Sequence, residues 1–66
     1  MQQGQTIKFS VRDNVSGEFV TGYGPNFMNM GNEVDRIIFT SEEDAMGIAN
    51  ALDQFDDTLP EIIKEN

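Results

Sequence analysis

From Thr6 onward, Ile7, Phe9 and Val11 alternate with Lys8, Ser10 and Arg12, the period-two pattern of a half-buried strand. The polar stretch from Asp13 to Gly17 then predicts a turn, because Asn14 and Gly17 tolerate left-handed backbone. Phe19, Thr21 and Tyr23 alternate with Glu18, Val20 and Gly22 as the returning strand. If odd-numbered positions share a face across this hairpin, Ile7, Phe9, Val11, Phe19 and Tyr23 lie inside, and Lys8, Arg12 and Glu18 meet water. A shift of one residue in register would undo that segregation.

Glu33 to Thr40 predicts a third strand, since its β-branched and aromatic run is short, bounded by polar turn residues, and directs Ile37 and Phe39 inward. Ser41 followed by Asp44 marks a helix N-terminus, with Glu42, Glu43 and Asp44 favoured by the positive end of the helix dipole. Ala45, Ile48, Ala49, Leu52 and Phe55 then make one apolar stripe, so the helix is expected from Glu42 to about Phe55. Asp56 would fall on that stripe, which stops or bends the helix there. Thr58 with Glu61, and Pro60 in the first turn, predicts a short C-terminal helix carrying Ile62 and Ile63.

The order strand, strand, strand, helix, short helix is an α+β arrangement: a three-stranded antiparallel sheet with one helix packed on a face and a short C-terminal helix. Its expected core is Phe9, Val11, Phe19, Phe39, Ile48 and Leu52. Residues 1–5 are expected as a flexible N-terminal tail, and 6–66 as a single small α+β domain. The stretch Gly22 to Asn32 is read as a connection of about ten residues that folds back over the sheet edge. It is ambiguous: Gly, Pro and Asn say turn, whereas Phe27, Met28 and Met30 say buried. Either Phe27 and at least one of the two Met plug the end of the core, or the three form a partly exposed patch for a partner or a second copy.

A chain of 66 residues buries a smaller fraction of its unfolded surface than a larger domain does and needs either good packing or outside support. It contains no Cys and no His, which removes disulfides and zinc-type sites and leaves self-association as the support still open. Met1 is followed by Gln-Gln-Gly-Gln rather than a basic segment and an apolar run, and no apolar stretch approaches the roughly 18 residues of a membrane span. No signal peptide and no membrane association are expected, and the default location is the cytoplasm.

The net charge of −8 is lopsided. Residues 1–41 carry Lys8, Arg12 and Arg36 against Asp13, Glu18, Glu33 and Asp35; residues 42–66 carry Glu42, Glu43, Asp44, Asp53, Asp56, Asp57, Glu61 and Glu65 against Lys64 alone. This balance argues against direct binding of nucleic acid or anionic lipid and allows a basic protein partner, while its plainer reading is a solvated acidic face that keeps a small protein soluble. Catalytic signatures are missing: a Ser nucleophile has no His beside it, and Gly22-Tyr23-Gly24 lacks both the third glycine and the Lys of a phosphate loop. Asp53, Asp56 and Asp57 are close in sequence but lack the central Gly of a calcium loop. No catalytic residue, metal or cofactor is expected, and the chain is read as a non-enzyme.

Glu42, Glu43, Asp53 and Asp57 are expected on the outward side of the helix over roughly 22 Å, at 1.5 Å per residue. Such a row of carboxylates imitates a nucleic-acid backbone and suits the basic groove of a nucleic-acid enzyme. The chain also resembles small, mostly uncharacterised bacteriophage-encoded β-β-β-α proteins. Phe9, Val11 and Asp13 match a strand ending in Asp; Gly17, Phe19 and Val20 a turn ending in Gly before an aromatic strand; Phe39, Ser41 and Ala45 a strand ending in Phe-x-Ser before a helix with an early Ala. Phe27, Met28 and Met30 depart from that type, which carries Trp and polar residues there. The resemblance implies a phage accessory protein acting in the host cytoplasm, of the class that inhibits host defence or nucleic-acid enzymes, anti-CRISPR proteins among them. Two functions are therefore expected: binding of a host protein with a basic surface through Glu42, Glu43, Asp53 and Asp57, or a homodimeric assembly module with Phe27, Met28 and Met30 as its interface.

Overall fold

The computed structural model describes residues 7–55 and 57–65; the expected flexible tail at residues 1–5 lies outside them. The first hairpin forms as expected, with β1 at Lys8–Asp13 and β2 at Phe19–Gly24, but its faces are assigned differently. The Asp13 amide donates to the Glu18 carbonyl at 2.8 Å and the Gly17 amide to the Asp13 carbonyl at 2.7 Å, with Gly17 at φ 81°. The loop between Asp13 and Glu18 thus holds four residues. An even loop sets odd positions of one strand opposite even positions of the other, and Arg12 pairs with Phe19. Val20 consequently joins Val11 in the core, fully buried, while Phe19 is half-buried on the face of Arg12. Arg12, expected in water, is half-buried as well; Lys8 and Glu18 are exposed as expected.

The stretch expected to be a long connection is mostly strand. A two-residue turn, Pro25-Asn26, joins β2 to β3 (Phe27–Gly31), Pro25 supplying the φ that the turn requires. Val20 pairs with Met30, but Gly22 pairs with Asn29, so Thr21 is an extra residue in β2. This bulge reverses the parity beyond it and returns Tyr23 to the core side, where its ring stacks on Phe39 with centroids 6.1 Å apart. Met28 and Met30, opposite Tyr23 and Val20, pack against the core.

Glu33 to Thr40 is not a strand. A short 3-10 turn at Glu33–Asp35 leads into an extended segment whose hydrogen bonds go to two different strands. The Ile37 amide donates to the Val20 carbonyl at 3.0 Å, and Phe39 exchanges two bonds with Phe9 at 2.7 and 2.8 Å. Ile37 and Phe39 do point inward as expected, but the segment is a wedge between diverging β1 and β2 rather than a ladder member.

Ser41 caps α1 (Glu42–Leu52), its hydroxyl accepting from the Asp44 amide at 3.3 Å. The helix ends before Phe55. The Gln54 and Phe55 amides donate to the Ala51 and Leu52 carbonyls, a tightened last turn that swings Phe55 off the apolar stripe and leaves it 49% exposed. Thr58 does not start a helix either; its hydroxyl donates to the Leu52 and Phe55 carbonyls at 2.9 and 3.0 Å. The chain then enters β4 (Pro60–Glu65), antiparallel to β1 from Lys8↔Glu65 to Asp13↔Pro60. The sheet is thus four-stranded, in the order β3-β2-β1-β4.

The chain is accordingly an α+β fold, with four strands where three were expected and a strand in place of the C-terminal helix. Helix α1 packs across β1 and β4. The buried core is Val11, Val20, Phe39, Ala45 and Leu52, with Phe9, Met28, Met30, Ile37, Ile48, Ala49 and Ile62 partly buried around it. Of the expected core, Val11, Phe39 and Leu52 are fully enclosed, Phe9 and Ile48 pack at its margin, and Phe19 faces away. Ile7 and Tyr23, expected inside, remain substantially exposed.

Two carboxylates fasten β4. Asp13 Oδ1 accepts the Leu59 amide at 2.8 Å and the Val15 amide at 3.1 Å, and its Oδ2 accepts the Ser16 hydroxyl at 3.0 Å, so one side chain shapes the β1–β2 turn and captures the residue before β4. At the other end Glu65 takes Arg36 in a bidentate pair, Nε to Oε2 at 2.9 Å and Nη2 to Oε1 at 2.8 Å, and accepts the hydroxyl of fully buried Ser10.

Candidate functional site

The acids expected to form a row are exposed, but the helix divides them. Glu42 and Glu43, with Asp44, fill the first turn of α1, where the helix dipole favours them. Asp53 caps the other end, and Asp57, at φ 63°, lies beyond the helix. Glu42 and Asp53 are about 16 Å apart along the axis at 1.5 Å per residue. Between them Met46, Gly47, Asn50 and Ala51 leave the exposed surface uncharged. The arrangement is two acidic clusters flanking a neutral middle, not an unbroken line.

The bases are elsewhere. Residues 41–59 contain no Lys or Arg. Lys8 and Arg12 are on β1 and Lys64 is on β4, while Arg36 is drawn to Glu65 of β4 in the one ion pair found among the described residues. Strand alternation puts the Ser10–Glu65–Arg36 cluster on the sheet face turned away from α1, because Val11 and its partner Ile62 face the helix. The molecule is therefore polarised: the helical layer carries acids at both ends and no base, and every base lies in the sheet or ties onto it.

Arg36 holds the Glu65 carboxyl down at about 2, with the Ser10 hydroxyl adding to the effect and burial opposing it. Asp13 is also lowered, first by the Leu59 amide, against the cost of burial. These groups are spent on structure, whereas the acids of α1 make no ion pair among the described residues. Among the described residues no three Asp or Glu side chains come together to hold a metal ion, and no helix is long and apolar enough to cross a membrane.

Comparison with protein-family models, curated proteins and solved structures found no match for the chain. Its functional reading rests on its own surfaces, and the second of these is a groove. Because α1 covers β1 and β4, the tip of the β2–β3 hairpin projects past it, and an open depression of about 270 Å³ lies between that tip and the end of the helix. Pro25, Phe27 and Met28 line one wall, and Ala51, Gln54 and Phe55 the other. Phe27 is 52% exposed, its ring laid over Gly24, its cross-strand partner, where a Cβ would overlap it.

Phe27, Met28 and Met30, which the sequence presents as one group, are thus separated in role. Met28 and Met30 belong largely to the core, while Phe27 belongs to the groove. Sequence reasoning misses the opposing wall, since Phe55 fits the buried stripe and Ala51 carries no signal of its own. Gly24→Ala should displace the Phe27 ring, a flexible end that can yield, and so reshape the groove while changing stability by less than about 1 kcal/mol. Ring-current shifts at Ala51 and Phe55 would report it; unchanged shifts would show that the ring does not cover Gly24.

Proposed function

We propose that this chain is a non-enzymatic accessory protein, of the phage-encoded type it resembles, that binds a basic surface on a host protein through the acidic layer formed by α1 and its flanks. The observation that carries this reading is the charge polarity: Glu42, Glu43, Asp53 and Asp57 are exposed in a segment that contains no base. Charge so arranged steers a basic partner and disfavours nucleic acid or another acidic protein. A host enzyme with a nucleic-acid groove is the kind of target this surface suits, and occupying that groove would inhibit it.

The test replaces Glu42 and Glu43 with Gln and Asp53 and Asp57 with Asn. Stability should barely change, because neutralising the two glutamates at the helix N-terminus costs a few tenths of a kcal/mol each, whereas removing acids at its C-terminus returns a similar amount. Partners captured from a bacterial lysate by the parent should be released by moderate salt and by added nucleic acid, and should be lost with the four-site variant. Recovery of the same partners by both proteins would take the helix out of the reading.

A further inference from the structure

The groove beside the β2–β3 turn adds a second element of recognition. Its volume of about 270 Å³ falls just below the roughly 300–1,000 Å³ of drug-sized sites, so it matches one large side chain better than a small-molecule ligand. Its walls are largely apolar, with Asn26 and Gln54 as the polar side chains, and no charged residue lines it. Two residues of its second wall, Gln54 and Phe55, however, lie in the chain between Asp53 and Asp57, both exposed. An apolar pocket beside uncompensated acids suits an apolar anchor carried on a cationic segment. A second copy of this chain is a poor occupant, since each copy carries −8 and its acidic helix end would meet acid.

We propose that this groove seats one aromatic or large aliphatic side chain from a basic segment of the partner, with Phe27 and Phe55 gripping the anchor and Asp53 and Asp57 meeting flanking Lys or Arg. This rests on the reading that the partner is basic and names the contact by which charge attraction becomes a specific dock. Buried aromatic anchors of this kind carry most of the binding energy in many interfaces, while rim charges mainly set the encounter rate.

Three synthetic peptides test it by amide and methyl NMR: Lys-Ser-Lys-Trp-Lys-Ser, the same with Ala for Trp, and Gln-Ser-Gln-Trp-Gln-Ser. The first should shift resonances of Phe27, Ala51, Gln54 and Phe55, and should bind about tenfold or more tightly than either of the others. Phe27→Ser and the groove-filling Ala51→Met should each remove that advantage while leaving the remaining spectrum folded. Equal binding of the two cationic peptides, with shifts confined to Glu42, Glu43 and Asp53, would overturn the anchor and leave the basic-partner reading standing. Equal binding of the two Trp peptides would overturn the cationic requirement. No groove shift at millimolar peptide would also overturn the proposal, as would a concentration-dependent dimer abolished by Phe27→Ser, which would assign the groove to a second copy.

Discussion

Replacing Leu52 with Ala should unfold most of the protein near body temperature. Leu52 is 1% exposed, the largest of the fully buried side chains, and it joins the last turn of α1 to the sheet. Truncations of this kind cost about 2–5 kcal/mol, through lost transfer energy and the cavity left behind. A chain of 66 residues has about 3–10 kcal/mol in total at the usual stability per residue. The loss is a large share of the whole, because among the described residues the enclosed core is Val11, Val20, Phe39, Ala45 and Leu52 alone. Urea titration should show an unchanged slope with a much lower midpoint. A variant that melts like the parent would mean that α1 does not pack on β1 and β4 through this residue. Phe55→Ala, half-exposed beyond the helix, should cost far less and serves as the control.

The second large effect concerns the attachment of β4, which lies at a sheet edge and reaches the rest of the fold through β1 and α1. Asp13→Ala leaves the part-buried Leu59 and Val15 hydrogen bonds without their acceptor, and unsatisfied donors of that kind cost about 1–3 kcal/mol. Glu65 adds a pH dependence. Its folded-state value of about 2 lies below its ordinary 4.5, so its contribution is full above pH 4.5 and is lost as pH falls toward 2. Asp13, also lowered, acts in the same direction from its ordinary 3.8 downward. Stability should therefore decline through this acid window. In Glu65→Gln the decline should be shallower, with only the Asp13 part remaining, so that parent and variant converge at low pH. Amide exchange in β4 should accelerate before that in β2 as the pH is lowered. Parallel stability curves for parent and variant from pH 5 to 2 would show that the Arg36–Glu65 clasp does not hold the strand.

The charge polarity of this protein was legible in its sequence, since residues 41–59 hold acids and no Lys or Arg whatever the fold. So was α1, because its cap, its acidic first turn and its Ala45–Ile48–Ala49–Leu52 stripe are local signals that tertiary packing had no cause to override. The strand β1 and its return in β2 were equally local. Which face each residue took was not, for the parity depended on whether the turn after Asp13 held an odd or even number of residues, and then on the bulge at Thr21. The identity of the last element was undecided by its own residues: Thr58, Pro60, Glu61, Ile62 and Ile63 fit the start of a helix or an edge strand. What chose was the open edge of β1, whose backbone groups needed partners, together with Asp13 waiting 46 residues upstream to take the Leu59 amide. The groove was hidden for the same reason. Phe27 and Phe55 are far apart in sequence, and only the offset of α1 toward β1 and β4 leaves the hairpin tip uncovered and brings the two rings to one depression.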